Sequence, residues 1–300
     1  MSFRVLILGA SGMLGNTLFR LLSGKPDLHV YGTIRSESVK RFFPSAMVDR
    51  LMSDVEVVQQ DKLVKAFFQI RPDIVINCVG LVKQLPEADD PLAAISINAL
   101  LPHRLAMLCE LIEAKLVHIS TDCVFSGEKG SYYESDLPDA ADMYGRSKLL
   151  GEIAYPHTIT LRTSIIGHEL QSRHGLLDWF LGQKTAVKGY ANAIYSGVTT
   201  VEMARIISEY VIPTINLSGL YHVAAEPISK YELLNIIADI YGHRIAVVRN
   251  EEFCCDRSLR GDRFRAATNY TAPAWPEMVH ALWTDYRRQN TDCLEMTHVS

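Results

Sequence analysis

A short apolar run at the start of the chain leads straight into three glycines. The run covers residues 5–8 and is followed by GASGMLG, in which Gly9, Gly12 and Gly15 are spaced three residues apart. Where a strand turns directly into a helix, such glycines permit the tight turn, let a pyrophosphate approach the backbone, and let helix and strand pack closely. The helix N-terminus then offers N–H groups to the phosphates. The segment predicts a dinucleotide site; the alternative is an ordinary strand-to-helix turn that needs small residues.

Up to about residue 163, short apolar runs alternate with longer helical patterns. Strands are predicted at residues 4–8, 29–34, 73–78, 116–119 and 158–162, and helices at 13–22, 61–69, 92–113 and 143–154. This alternation favours right-handed crossovers and a parallel sheet. Runs such as IVIN and LVHI are apolar on both faces, as a sheet covered on both sides requires. The predicted fold class is α/β, a Rossmann-like doubly wound parallel sheet with ligands at the carboxyl ends of its strands.

The end of the second predicted strand indicates which dinucleotide binds. An NAD site usually has an acidic residue there for the ribose 2′-hydroxyl, whereas an NADP site usually has an arginine for the 2′-phosphate. Arg35 is present, and the nearest acid, Glu37, comes two residues later. We therefore expect NADPH, with NADH less favoured; the alternative is that Arg35 is a plain surface charge.

After residue 163 the pattern becomes irregular. Helices are predicted at residues 178–182, 199–211, 229–241 and 276–288, and a strand at 219–224. Such a segment does not easily fold alone. We expect residues 1–167 to form an NADP-binding Rossmann core. Residues 168–300 should form mainly a smaller C-terminal substrate-binding lobe, with some segments returning to the core.

The overall composition limits the class of protein. The chain has 300 residues, of which 48% are hydrophobic and 21% charged, with a formal net charge of -4. Nothing is basic enough to suggest nucleic acid, the first apolar run is too short to cross a membrane, and no signal-peptide cleavage pattern follows it. The cysteines show no CxxC spacing. We expect a cytoplasmic protein with free thiols, no metal site, and no membrane or nucleic-acid partner.

A tyrosine and a lysine four residues apart lie in the predicted helix at 143–154. Tyr144 and Lys148 share a helix face, so the ammonium can favour the phenolate and lower the pKa of Tyr144. Such a phenol can give a proton to a carbonyl oxygen. Ser120 and Thr121 follow a predicted strand, where a hydroxyl can stabilise charge on the same oxygen. The combination predicts carbonyl reduction, although YxxxK alone could be an exposed helix pair; His118, inside that strand, is expected to be structural.

The same motifs, in the same order, resemble a known family. GASGMLG, NCVG at 77–80, STDCVFSG at 120–127, YGRSKLLGE at 144–152 and LRTS at 161–164 are similar to those of the extended short-chain dehydrogenases, and more narrowly of the dTDP-4-dehydrorhamnose reductases and related sugar-nucleotide enzymes. The resemblance covers most of the chain. It implies an NAD(P)-dependent oxidoreductase acting on CH-OH groups. Its reaction would be reduction by NADPH of the keto group of a 4-keto-6-deoxy sugar nucleotide, in deoxysugar and cell-surface polysaccharide biosynthesis.

The resemblance also implies which residues form the site. It assigns a catalytic triad to Thr121, Tyr144 and Lys148. Besides Tyr144 and Lys148, the residues it implies at the cofactor site are Gly9, Ser11, Gly12, Met13, Leu14, Gly15, Arg35, Asp54, Val55, Cys78, Val79, Gly80 and Asn98.

Two departures from the family leave the sugar open. Cys123 stands where the motif S-T-D-Y-V-F has its tyrosine, and residues 81–85 read LVKQL instead of a small-residue alanine–tyrosine–threonine run. A cluster of arginines at 257–263 could bind a diphosphate, or could instead pair with nearby acids in a solvated loop. Trp179 could cover the sugar or be an ordinary core residue. The side chains expected to contact substrate are Lys83, Gln84, Cys123, Trp179, Arg257 and Arg260.

Two other functions are compatible with these motifs. A sugar-nucleotide epimerase or dehydratase of the same superfamily would retain its cofactor and usually prefer NAD, which Arg35 disfavours. A non-catalytic NADP-binding regulatory subunit would keep the fold and lose the site, whereas the three triad residues are present in this chain. The expected partner is a nucleotide-sugar substrate, and a homodimer is one alternative for the oligomeric state.

Overall fold

Seven parallel strands form the central sheet. The computed structural model describes residues 2–83, 90–214 and 216–297, with side chains up to residue 289. The strands are β1 (Phe3–Leu8), β2 (Leu28–Thr33), β3 (Leu51–Met52), β4 (Ile74–Asn77), β5 (Lys115–Thr121), β6 (Thr158–Thr163), β7 (Ile165–Ile166), β8 (Val187–Tyr195), β9 (Val198–Thr199), β10 (Gly219–His222), β11 (Ile228–Ser229) and β12 (Val247–Asp256). The order across the main sheet is β10-β6-β5-β4-β1-β2-β3, which confirms the predicted doubly wound fold.

Helices cover both faces of this sheet. The α-helices are α1 (Met13–Ser23), α2 (Ser45–Val48), α3 (Gln60–Ile70), α4 (Pro91–Ala94), α5 (Leu101–Leu111), α6 (Met143–Leu150), α7 (Leu176–Leu181), α8 (Thr200–Ile206), α9 (Lys230–Tyr241), α10 (Asp262–Thr268) and α11 (Trp275–Thr297). Side chains of β1 alternate between two cores: Val5 and Ile7 pack on the face of α1 and α8, and Leu6 and Leu8 on the face of α3 and α5. This alternation explains why the run is apolar throughout.

Local signals in the sequence set several helix ends. Ser229 and Glu232 form a reciprocal capping box at the start of α9, and Gly242 ends the helix with left-handed backbone. Such caps satisfy the unpaired groups of a helix terminus. The helix predicted at 143–154 ends earlier, because Gly151 caps α6 and the chain turns toward β6.

The segment Pro91–Leu111 is long and apolar enough, by composition, to cross a membrane. In the fold it is α4, a π-helical turn (Ile95–Leu100) and α5. Its inward side chains, among them Leu101, Leu105 and Cys109, are buried against the central sheet. Part of its apolar character is therefore used in the core of the fold, while Leu92, Met107 and Leu111 are exposed.

A second, three-stranded sheet was not predicted from the sequence. Its order is β11-β8-β12. The nine residues of β8, VKGYANAIY, alternate between buried and more exposed positions, which is the period of a half-buried strand. Small residues occupy several buried positions, so the hydrophobic signal is weak. The sheet positions the end of β12 beside the loop that follows β5, where Tyr132 forms a bridge to Leu259.

Later segments of the chain return to the central sheet. β10 pairs with β6 and becomes the edge strand. The last helix, α11, is joined to α1 by a bidentate ion pair between Arg20 and Asp285, whose side chains are 11% and 14% exposed. Five cysteines in the described part of the chain are free thiols: Cys78, Cys109, Cys123, Cys254 and Cys255.

Candidate active site

The residues predicted to act in catalysis meet at the carboxyl edge of the central sheet. Thr121 is the last residue of β5, the glycine turn follows β1, and Cys78 follows β4. These strands are neighbours in the order β5-β4-β1, and the direction of winding reverses between β4 and β1. In open parallel sheets, ligands bind at this point.

Thr121 is fixed by the turn that follows it. Its hydroxyl oxygen accepts a hydrogen bond from Cys123 N (3.1 Å), and its hydroxyl donates to Asp122 Oδ1 (3.3 Å). Burial raises the pKa of Asp122, while the guanidinium of Arg257 opposes that rise. The turn therefore holds the Thr121 hydroxyl oxygen in place at the strand end.

Tyr144 lies in the first turn of α6. That helix begins at Asp142, whose Oδ1 accepts a hydrogen bond from Gly145 N (2.8 Å). Burial raises the pKa of Tyr144, the nearby Cys123 adds to the rise, and a hydrogen bond with Thr121 opposes it. The phenol is consequently protonated at neutral pH, which is the state that a proton donor requires.

Lys148, one helical turn further on, reaches the end of β5. Its Nζ donates to Ile119 O (2.7 Å) and lies 3.9 Å from where a Cβ would stand at Gly80. Burial lowers the pKa of Lys148 to about 8, and the Glu152 carboxylate opposes this shift. The predicted lowering of the Tyr144 pKa by this ammonium is wrong, because burial of the phenol dominates.

The glycine turn has no room for larger residues. A Cβ at Gly15 would lie 2.1 Å from Gly9 O, and Gly9 itself has a left-handed φ of +79°. Gly12 precedes α1 in extended backbone, and no side chain caps the helix there. Ser11 and Met13 flank this opening and are partly exposed, whereas Leu14 is buried in the core.

The loop after β4 is braced from two sides. Val79 N donates to Asn77 Oδ1 (3.1 Å). Asn98 accepts from Leu81 N (2.9 Å) and donates to Leu81 O (3.3 Å) and to Ser147 Oγ (3.2 Å). Through these hydrogen bonds the buried Asn98 side chain ties the loop to Ser147 of α6.

The side of the site beyond β2 carries the residues expected at the adenosine end. Arg35 is exposed and makes no ion pair with any residue in the described ranges. Asp54 has left-handed backbone and pairs with Lys62 (2.8 Å). Val55 is buried, and its N–H bonds to Ile34 O (3.2 Å).

Two residues expected at the substrate lie beside the catalytic groups. Cys123 adjoins Thr121, and burial raises the pKa of its thiol to about 12, so it is an uncharged lining residue. Arg257 donates through Nε to Phe125 O (2.8 Å). Its two terminal nitrogens form no hydrogen bond with residues that the structure describes, and its charge acts on both Asp122 and Cys123.

The other residues expected at the substrate are more dispersed. Lys83 pairs with Asp142 (2.7 Å). Arg260 is exposed and pairs with Asp262 (3.1 Å). This ion pair fits the alternative in which these arginines pair with nearby acids in a solvated loop. Trp179 lies on α7 and is 40% exposed. Gln84 lies outside the described residues.

A buried polar layer below the site was missed by the sequence analysis. Ser120 Oγ donates to Glu152 Oε1 (2.7 Å), and Arg162 pairs with both oxygens of Glu152. The spacing of Tyr144, Lys148 and Glu152, four residues apart each time, was the available signal. His118, by contrast, is a buried structural residue as expected: its Nδ1 faces Asn77 Nδ2 at 3.1 Å, and burial holds its pKa well below the usual value.

The sequence matches a known protein family over most of its length. The family model described as "RmlD substrate binding domain" matches residues 3–286. A probable low-salt glycan biosynthesis reductase, Agl14, of Haloferax volcanii is 32% identical over 165 residues, 53% of this chain and 52% of that protein. The dTDP-4-dehydrorhamnose reductase of Mycolicibacterium smegmatis is 31% identical over 170 residues, 55% and 46% respectively. The match thus spans about half the length of these two curated relatives.

Other relatives align over more of their length. Methionine adenosyltransferase 2 subunit beta of Danio rerio is 25% identical over 252 residues, covering 79% of this chain and 74% of that protein. Among solved structures, dTDP-4-dehydrorhamnose reductase from Bacillus anthracis, in complex with NADP, has a TM-score of 0.76 at 21% identity and covers 95% of this chain and all of that one (100%). A hypothetical dTDP-4-dehydrorhamnose reductase from Sulfolobus tokodaii has a TM-score of 0.72 at 28% identity and covers 91% and 98%.

Proposed function

Because the chain belongs to the RmlD substrate-binding-domain family, whose model spans residues 3–286, we propose that it reduces the keto group of a 4-keto-6-deoxy sugar nucleotide with NADPH. We place this reaction in deoxysugar and cell-surface polysaccharide biosynthesis in the cytoplasm. The reductases named among its relatives and the NADP bound in one structural neighbour support the choice.

The observation that carries the proposal is the meeting of three side chains at one sheet edge. Thr121 ends β5, Tyr144 lies in the first turn of α6 where Thr121 acts on its pKa, and Lys148 is anchored to the carbonyl of Ile119. A ketone oxygen placed between the two hydroxyls would receive a hydrogen bond from one and a proton from the other.

The residues present fit a dinucleotide. The close approach of Gly15 to Gly9 and the uncapped start of α1 leave backbone N–H groups to hold a pyrophosphate. The exposed Arg35, without an ion pair in the described part of the chain, is available for a 2′-phosphate. Lys148, beside Gly80, would hold the nicotinamide ribose. When bound, NADPH would supply the hydride that reduces the ketone carbon.

The chain's own residues handle the proton and the developing charge. Tyr144 donates its phenolic proton to the ketone oxygen, and Thr121 turns its hydroxyl hydrogen from Asp122 Oδ1 to the same oxygen as its charge grows. Lys148 follows one helical turn later on the same face, where its ammonium would oppose, without outweighing, the effect of burial on the tyrosinate that remains. Tyr144 is protonated at neutral pH before the ketone arrives, although burial raises its pKa and so makes it a weaker acid than a free tyrosine.

A non-catalytic regulatory subunit is the second candidate, and one observation favours it. A relative named as a subunit beta of methionine adenosyltransferase 2 aligns over 79% of this chain. Against it, a subunit without turnover has no need for the ordered Thr121–Tyr144–Lys148 arrangement. An epimerase or dehydratase would use the same groups, but would return the cofactor to its starting redox state.

One assay separates these functions. Purified protein is mixed with a panel of 4-keto-6-deoxy sugar nucleotides, and the loss of NADPH absorbance is followed, with NADH in parallel wells. A reductase consumes one NADPH for each product formed. An epimerase changes the sugar without net loss of NADPH. A dehydratase needs a sugar nucleotide that still carries its 6-hydroxyl, which is supplied in further wells, and a regulatory subunit changes none of these substrates.

The matched control is Tyr144→Phe. Its turnover should fall by about two to four orders of magnitude, since general acid catalysis contributes that much, while the NADPH Kd stays within a few-fold because the hydroxyl acts mainly in the transition state. Near-normal turnover in this variant would remove Tyr144 from the mechanism.

A further inference from the structure

A buried carboxylate lies one turn beyond the lysine of the site. Glu152 follows Lys148 by four residues, just past the Gly151 cap of α6. Its side chain is 10% exposed and accepts hydrogen bonds from Ser120 Oγ (2.7 Å), Arg162 Nε (2.7 Å) and Arg162 Nη2 (2.6 Å). Both of its oxygens are engaged, as a buried carboxylate requires.

These bonds join three elements of the fold. Ser120 belongs to β5, Arg162 to β6, and Glu152 to the segment just after α6. Arg162 is 3% exposed, and it is held in turn by His222 Nε2 (3.3 Å) and by the ring of Phe125. Because loss of either partner would leave a buried unpaired charge, the pair is a firm anchor.

The anchor and the lysine act on consecutive residues of one strand. Lys148 Nζ bonds to Ile119 O, and Glu152 bonds to Ser120 Oγ. The next residue is Thr121. Helix α6 is thereby held against the end of β5 at two successive positions, immediately before the hydroxyl that would contact the ketone.

Lys148 and Glu152 contact adjacent residues of β5, Ile119 and Ser120, so the carboxylate is placed to act on the ammonium. Burial disfavours the ammonium, and Glu152 opposes that effect. Burial raises the pKa of Cys78 to about 12, so that thiol brings no negative charge, and His118 is uncharged because burial lowers its pKa. The groups whose charges act on Lys148 are Glu152 after α6 and Cys78 after β4. His118 from β5 is in turn affected by Lys148 and by His103 from α5. Arg162 from β6 pairs with Glu152, and Tyr144 lies one turn before Lys148 on α6.

We propose that Glu152 is a positioning residue that acts through Lys148, with its carboxylate keeping the lysine charged and aligned with Thr121. The positive charge of Arg162 partly neutralises the Glu152 carboxylate and so weakens its effect on Lys148. The proposal rests on the proposed function in one respect, because Glu152 affects turnover only if Lys148 takes part in the reduction.

The test measures the protonation of Lys148 directly and needs no substrate. The full-length protein is treated with a trace of acetic anhydride at a series of pH values, and peptide mass spectrometry gives the midpoint at which Lys148 becomes reactive. The exposed Lys65 on α3 is the internal reference and should label alike in all proteins.

Variants at the two ends of the ion pair should shift this midpoint in opposite directions. Glu152→Gln removes the negative charge and should lower the midpoint by about one pH unit, a tenfold change in the protonation equilibrium. Arg162→Gln removes the competing positive charge and should raise it. Glu152→Asp keeps the charge and should stay near the wild-type midpoint.

A merely structural role predicts a different pattern. Midpoints that do not move, or that move in the same direction for Glu152→Gln and Arg162→Gln, overturn the proposal. If all three variants fail to fold, the aspartate included, the proposal is also overturned, because side-chain shape and not charge would then be what the site requires.

Activity measurements keep the two proposals apart. If the wild-type protein reduces sugar nucleotides, the alkaline limb of kcat should move with the labelling midpoint in each variant. If it reduces none while the midpoints shift as stated, the reductase function fails and the action of Glu152 on Lys148 stands. If the wild-type protein reduces sugar nucleotides but the Lys148 midpoint does not shift in the variants, the reductase function stands and the action of Glu152 on Lys148 fails.

Discussion

Lys83 Nζ lies 2.7 Å from Asp142 Oδ2, and this ion pair joins the loop after β4 to the first turn of α6. The other oxygen of Asp142 accepts a hydrogen bond from Gly145 N and so caps the helix. One carboxylate therefore fixes both the start of the helix that carries Tyr144 and the loop that passes the expected cofactor site.

The two partners of this pair should respond differently to truncation. Asp142→Ala removes a helix cap and should lower the unfolding free energy by about 1 kcal/mol. Lys83→Ala removes only one arm of a half-exposed pair, which is worth about 0–1 kcal/mol. Urea unfolding measures both. If Lys83 also contacts the substrate, its variant should raise the sugar-nucleotide KM; an unchanged KM would leave it a purely structural partner.

The choice of cofactor should depend on Arg35. Arg35→Ala should weaken NADPH by roughly 1.5–3 kcal/mol, the range for a hydrogen bond to a charged group, and leave NADH nearly unchanged, because only NADPH carries the 2′-phosphate. Fluorescence titration of both cofactors gives the two Kd values. The matched control is Arg41→Ala, an exposed arginine that packs on Phe42 instead. Equal weakening of both cofactors by the Arg35 change would show that it does not contact the phosphate.

The arginines near residue 260 should divide into one that binds substrate and one that does not. Arg257 lies beside Cys123 and Asp122, whereas Arg260 pairs with Asp262 at the surface. Arg257→Ala should raise the sugar-nucleotide KM about tenfold, equivalent to roughly 1.4 kcal/mol, and Arg260→Ala should have little effect. Steady-state kinetics measure both. A large KM effect confined to the Arg260 variant would contradict this assignment and would indicate that Arg260 contacts the substrate.

The buried His222 should make the protein sensitive to mild acid. Burial lowers the pKa of His222 to about 3, and the charge of Arg162 adds to this, whereas an unfolded imidazole titrates near pH ~6.5. Between these values the unfolded chain binds a proton that the folded chain excludes. Stability is therefore full above the unfolded pKa and declines as the pH falls toward about 3.

Replacing this imidazole should flatten that decline. In His222→Gln the slope of unfolding free energy against pH below about 6.5 should be smaller by up to about 1.4 kcal/mol per pH unit. Urea unfolding at about pH 7 and about pH 5 measures the slope. His174→Gln, at an exposed position, is the control and should keep the wild-type slope, and identical slopes in all three proteins would exclude His222 as the source.

Local patterns in the chain predicted most of the central sheet and the glycine turn. Residues 5–8 of β1 and 74–76 of β4 are continuous apolar runs because both faces of the sheet are covered, so burial shows directly in composition. The turn at Gly9 and Gly15 is equally local, since its backbone geometry and close approach involve neighbouring residues. Tyr144 and Lys148 could be paired from spacing alone, because a helix brings residues four apart onto one face.

Contacts between distant segments could not be read in this way. The β8–β12 sheet has a weak hydrophobic signal, and the turn of Arg257 toward Phe125 depends on how that sheet packs against the loop after β5. The raised pKa of Tyr144 has the same origin, because desolvation is the sum of everything packed around the phenol. Local sequence thus specified the backbone path and the residues at the sheet edge, and only tertiary packing decided their protonation and which side chains surround them.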